Sequence, residues 1–135
     1  MANYYEKART NYFKVKDFTK FREFIDKFSS IELVVDEQKG GIAILFDEEV
    51  GVPSQYYDED TDEYIEVDFT TELSEHLTDD SIVVIQAVGN EKLRFVSGYA
   101  IAVNSKNEQI SININEIYER AKQKFGVNEI SEASY

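Results

Sequence analysis

The sequence predicts a single α+β domain. Three features predict it: short runs of alternating apolar residues, three stretches with helical apolar spacing, and Gly- or Asn-marked turns between them. Length agrees, since 135 residues with 42% hydrophobic side chains suffice for one ordinary core.

The first strand is expected over residues 10–16, TNYFKVK, with Phe13 and Val15 on one side and Tyr12, Lys14 and Lys16 on the other. Asp17 then caps a helix in which Phe18, Phe21, Phe24, Ile25 and Phe28 recur at helical spacing, an aromatic stripe that reads as core. Residues 31–35 and 41–46 read as two strands joined at Lys39-Gly40-Gly41, because Gly accepts positive φ freely. An irregular stretch with Gly51 and the single proline, Pro53, leads to residues 63–69, which alternate like a half-buried strand. Thr70 or Thr71 caps a short helix over 72–77 that contains His76, with Glu72 and Glu75 where the helix dipole favours negative charge. Residues 81–88, 93–103 and 109–114 form an antiparallel meander with turns at 89–92 and 104–107, and Gly98 marks a bulge. Asn115 caps a last helix carrying Ile117, Tyr118, Ala121 and Phe125, with Gly126 at its C′ position. The domain therefore spans residues 1–126, and residues 127–135 form a flexible tail without a packing pattern. The order is β-α-β-β-(β)-α-β-β-β-α, whose first six main elements resemble a ferredoxin-like split β-α-β unit. It would be extended into a mainly antiparallel sheet with helices on one face.

Charge supplies the main functional clue. The chain carries 27 acidic and 14 basic residues, a formal net charge of −13. Residues 1–35 hold seven basic and five acidic side chains, and residues 81–135 hold six of each. Residues 36–80 hold sixteen acidic side chains and one basic one, Lys39, so this block at −15 accounts for the whole excess. Its densest part is an acidic insertion at about 47–80 that contains no Lys or Arg. Such a surface is repelled by phosphate, which disfavours direct nucleic acid or anionic membrane binding and makes basic proteins the natural partners.

Absences exclude more. With no Cys there is no disulfide, thiolate nucleophile or Cys-based metal site, and one His leaves no His cluster. Neither a signal peptide nor a long apolar stretch is present, so a cytoplasmic protein is expected. Asp58, Asp60 and Asp62 match positions 1, 3 and 5 of an EF-hand loop, but Glu63 replaces the turn glycine and Phe69 the bidentate Glu, so no metal site is expected. Carboxylate pairs suit glycoside hydrolysis, yet no pair stands out and Trp is absent. His76 with Ser74 or Ser81 is a weak nucleophile pair; a lone His on a short acidic helix reads as a surface residue with a raised pKa. Lys39-Gly40-Gly41 is too short for a phosphate loop. No catalytic residue and no cofactor are expected.

The insertion also carries Tyr56, Tyr57 and Tyr64, and Tyr is enriched at interface hot spots. In a strand, alternate side chains on one face lie about 6.6 to 6.8 Å apart, so Tyr64, Glu66 and Asp68 would form an outward row. With Asp58, Glu59, Asp60, Asp62 and Glu63 that row would approach the charge density of nucleic acid, which carries a phosphate about every 3.4 Å per strand. The competing reading is an acidic face that serves only solubility.

The phrase Arg9-Thr-Asn-Tyr-Phe-Lys-Val-Lys-Asp17 running into a Phe-rich helix, and the stretch from Glu91 to Asn104, EKLRFVSGYAIAVN, resemble small acidic proteins of phages and mobile genetic elements. The resemblance implies an inhibitor of a host defence complex, of the anti-CRISPR or anti-restriction kind, and carries no catalytic motif. The function expected is thus a non-enzymatic binding protein that blocks the basic groove of a nucleic-acid-handling host protein or complex. Tyr56, Tyr57, Asp58, Glu59, Asp60, Asp62, Glu63, Tyr64, Glu66 and Asp68 would form its contact surface. The alternative is a small accessory or regulatory module that reads its partner through the sheet face or homodimerises.

Overall fold

A computed structural model describes residues 4–91 and 95–133. In chain order its elements are β1 (Tyr4–Thr10), α1 (Phe18–Ile25), β2 (Ile31–Asp36), β3 (Gly41–Phe46), β4 (Gln55–Asp58), β5 (Glu63–Glu66), α2 (Phe69–Ser74), β6 (Ile82–Glu91), β7 (Phe95–Asn104), β8 (Gln109–Asn113) and α3 (Glu116–Phe125). Six strands form one sheet in the order β2-β3-β1-β6-β7-β8, with antiparallel neighbours throughout. β1 and β2 consequently run parallel with β3 between them, and α1 is the crossover that joins them. The fold is α+β, as the sequence predicts.

The first strand is displaced from its expected place. β1 ends at Thr10, and residues 11–16 contribute only isolated bridges, Phe13 to Ile42 and Val15 to Leu77. The alternation of Phe13 and Val15 is real, but each reaches the core beside a different element. β1 itself is hard to see in the sequence because its core-facing residues, Ala8 and Thr10, are small or polar; Ala8 pairs with Ala87 and Thr10 with Ile85. The buried Thr10 hydroxyl takes the Ile44 N–H at 2.9 Å, a link between β1 and β3 where the backbone ladder has stopped.

α1 begins at the expected cap, Asp17, whose side chain accepts the Lys20 N–H. Phe21, Phe24, Ile25 and Phe28 are buried, whereas Phe18, at the first helical position, is exposed. The β2–β3 hairpin turns through a short 3₁₀ segment to Gly40 and Gly41, at φ 105° and 132°. A side chain at Gly41 would also run into the Phe13 carbonyl, which pairs with Ile42 N at 2.9 Å.

One face of the sheet carries the core. Phe24 stacks on Phe69 of α2 at 5.4 Å, Phe28 meets both rings edge-on, and Phe46 of β3 meets Phe69 at 5.6 Å. α1 and α2 therefore cover the same face, above Ile44, Val83, Ile85 and Val103. α3 departs from the expected single helical layer: its Glu116, Ile117 and Arg120 line a groove together with Arg9, Val88, Ala100 and Ile112, on the opposite face. Asn115 makes no side-chain cap; Glu116 instead accepts the Asn113 N–H. Gly126, at φ 67°, closes the helix as expected.

The meander runs as expected with two differences. β6 continues through Glu91, so residues 89–91 are strand rather than turn, and Lys92 and Leu93 lie outside the described residues. Gly98 marks no bulge, because the β6–β7 register passes through Val88↔Gly98 without a break. A Cβ at Gly98 would come within 3.1 Å of Ile114, so the glycine is there to admit that side chain.

Phe24→Ala is expected to cost about 3–5 kcal/mol in urea denaturation, because it removes the ring shared by α1 and α2. Phe18→Ala is expected to stay within about 0.5 kcal/mol. Equal losses at the two positions would contradict this division of the stripe.

Candidate functional site

The acidic insertion folds as its own hairpin, separate from the main sheet. β5 pairs with β4, an unforeseen strand, in the register Gln55↔Glu66, Tyr56↔Ile65, Tyr57↔Tyr64 and Asp58↔Glu63. The expected strand at 63–69 thus stops at Glu66, because Val67 turns in toward the core and Asp68 begins a helix.

Strand alternation gives this hairpin two faces. The inner face carries Tyr56 and Ile65; Tyr56 packs edge-on to Phe28 at 5.7 Å, and the Lys27 ammonium lies 5.0 Å from its ring centre. Tyr56 therefore fastens the hairpin to the segment that follows α1 and presents little to a partner. The outer face carries Gln55, Tyr57, Tyr64 and Glu66. Tyr57 and Tyr64 are cross-strand partners with ring centres 5.3 Å apart, and Tyr64 is 67% exposed.

Glu59, Asp60 and Asp62 occupy the exposed loop at the tip, flanked by Asp58 and Glu63. Asp58 accepts the Asp60 N–H, and Asp62 sits at φ 54°, a left-handed position that Asp tolerates better than most residues. The Tyr57 hydroxyl donates to Asp62, which raises the Tyr57 pKa by stabilising the protonated phenol. These local bonds set the loop geometry. Among the described residues, no three His, Asp or Glu side chains converge on a metal position.

Asp68 has a different role from its expected one. It is the N-cap of α2, its carboxylate accepting the Thr71 N–H at 3.2 Å, in place of Thr70 or Thr71. The outward row of Tyr64, Glu66 and Asp68 is thereby reduced to Tyr64 and Glu66, and the remaining charge gathers at the tip. Among the described residues the ion pairs are Lys7–Glu48 and Arg22–Asp26, so no hairpin carboxylate is neutralised by a Lys or Arg.

His76 lies just beyond α2 and is half-buried, stacked on Phe24 at 5.0 Å and edge-on to Phe21 at 5.7 Å. Its pKa is lowered, not raised: burial against two rings outweighs the nearby carboxylates of Glu75 and Glu72. Ser74 donates to the Thr71 carbonyl, and Ser81 accepts the Lys14 N–H. Neither serine is paired with His76, so the residues do not assemble a nucleophile. Among the described residues, no helix is long and apolar enough to cross a membrane.

Asp68→Ala is expected to lower stability by about 1 kcal/mol in urea denaturation, while Asp68→Asn, which keeps the cap, stays near the parent. An equal loss in both would mean that the charge, not the cap, is what counts. For His76 the folded pKa lies below the unfolded value of about 6.5, so the unfolded chain takes up the proton first. The stability held by neutral His76 is complete above that value and is lost as pH falls through the lowered folded pKa. The stability advantage of the parent over His76→Gln should therefore shrink between about pH 8 and pH 5.5; a constant difference would contradict a buried neutral imidazole.

No family model matches this chain, and neither the curated proteins nor the solved structures provide a match to it.

Proposed function

We propose that the chain is a non-enzymatic binding protein that inserts its acidic hairpin into the basic nucleic-acid groove of a partner protein and competes there with DNA or RNA. One observation carries the reading: the hairpin presents an adjacent exposed tyrosine pair and a tip of carboxylates, with no basic side chain in residues 47–80. The rings supply desolvated contact area, and the carboxylates supply the polyanion charge that such a groove attracts. A host defence complex is the partner class implied by the sequence resemblance.

The scaffold also fits a finer description. β6-β1-β3-β2 has the antiparallel order of a ferredoxin-like unit built from β1-α1-β2-β3-α2-β6, with β4–β5 inserted and β7–β8 appended. On that description the hairpin is an insertion displayed from an independent core.

The test substitutes the tip and outer-face acids Glu59, Asp60, Asp62, Glu63 and Glu66 by their amides and leaves the capping Asp68 intact. Immobilised parent protein is expected to capture nucleic-acid-binding proteins from a bacterial lysate, to release them to duplex DNA, and to lose them steeply between about 50 and 200 mM salt. The five-amide variant should bind at least tenfold more weakly, roughly 1.4 kcal/mol, with an unchanged unfolding midpoint. Unchanged capture by that variant would sink the reading and favour an accessory module whose acids serve only solubility.

A further inference from the structure

The sheet face opposite α1 and α2 is apolar and largely uncovered. Val88 on β6 is 60% exposed, and Ile110 and Ile112 on the edge strand β8 are 71% and 57% exposed. Between these strands β7 presents Gly98, Ala100 and Ala102 to the same face, because Gly98 pairs with Val88, Ala100 with Ile112, and Ala102 with Ile110. Small residues on the middle strand and branched ones on its neighbours make a trough. It continues toward β1 and β3 as a groove of about 1020 Å³, with Lys7, Arg9 and Arg120 against Glu48 and Glu116 at its margins.

α3 stands beside this trough without filling it. It buries none of its own residues, and Ile117 and Phe125 on its apolar side are 60% and 72% exposed. Its base is fixed, since the Ile114 N–H donates to the Gly98 carbonyl at 2.9 Å. Its Tyr118 hydroxyl accepts the Ala133 N–H. Among the described residues, the apolar side of α3 is thus left exposed at Ile117 and Phe125, beside an apolar trough that the chain does not fill.

Surface area gives the scale. The chain exposes 9598 Å², whereas a compact monomer of 15.6 kDa exposes about 7,250 Å². The excess of roughly 2,300 Å² belongs to the whole chain, hairpin and tail included, and is large enough to include on this face the ~800 Å² per partner of a standard stable interface. Charge permits self-association on this side, because residues 81–135 carry six basic and six acidic side chains and eleven of the sixteen acids of the −15 block fall in residues 55–80, while Glu48 at the groove margin is paired with Lys7.

We infer that the occupant of the trough is a second copy of this chain. Two copies related by a two-fold axis set each α3 against the other's β6–β7–β8 trough, so one symmetric contact covers both apolar surfaces. The small residues of β7 let the incoming helix approach closely, and Ile117 and Phe125 supply the side chains that fill the space between Val88 and Ile112. The acidic hairpin lies on the other face with α1, so the dimer leaves both hairpins free. This inference does not depend on the role proposed for them.

Light scattering of the full chain at micromolar concentration tests it. The expected mass is twice 15.6 kDa, and it should persist at high salt, since the contact is apolar. Ile117→Glu on the helix and Val88→Glu in the trough are each expected to weaken dimerisation about 30-fold or more. Both positions are exposed, so far-UV circular dichroism should show the fold retained. Val88 lies two strands in from the β8 edge, so a dimer indifferent to Val88→Glu would be formed by edge-to-edge pairing and would overturn the inference. A monomeric parent would overturn it too, whether α3 folds down onto its own sheet or a different protein takes the trough.

Discussion

Phe24 is the side chain on which the rest of the structure depends. Its ring touches Phe69 and His76 on the α2 side and Phe28 on its own, and through them it reaches Phe46 in the sheet and Tyr56 in the hairpin. Four parts of the chain are joined by one aromatic cluster, in which edge-on and stacked contacts add specificity to plain burial. Six of the nine phenylalanines are buried on that face of the sheet. The opposite face carries branched aliphatic and small side chains, and among the described residues only α3 stands beside them, without burying a residue of its own.

Most of the architecture is legible in the sequence because it rests on local signals. Asp17 before a phenylalanine stripe, Gly40-Gly41 between two apolar runs, and Gly126 after Phe125 each specify a boundary through backbone chemistry alone. β1 is not legible, because Ala8 and Thr10 fill narrow positions against Ala87 and Ile85 and leave no apolar alternation to read. Gly98 misleads for a related reason: it relieves crowding by Ile114, which the β7–β8 register sets directly opposite it, and that register cannot be read from β7 alone.

The candidate site was legible in composition and only partly in geometry. The tyrosines and every carboxylate but Asp68 share one hairpin, and three of these residues, Asp68 among them, have roles that only the fold assigns. Tyr56 anchors the hairpin to Phe28 just after α1, Asp68 caps α2, and Asp62 holds the Tyr57 hydroxyl. Strand alternation separates Tyr56 from Tyr57, and that separation depends on β4, whose sequence QYYD offers too few residues to announce a strand. The environment of His76 is hidden from the sequence too, since its acidic sequence neighbours are outweighed by two phenylalanine rings contributed from α1.

The uneven placement of charge has a kinetic consequence. With the negative excess confined to one block and the rest of the chain near balance, the molecule is an electric dipole as well as an anion. In the field of a positively charged surface it experiences a torque before it makes any contact, and it arrives already turned hairpin-first. Random tumbling then has less orientational space to search, and the fraction of productive encounters rises with falling ionic strength.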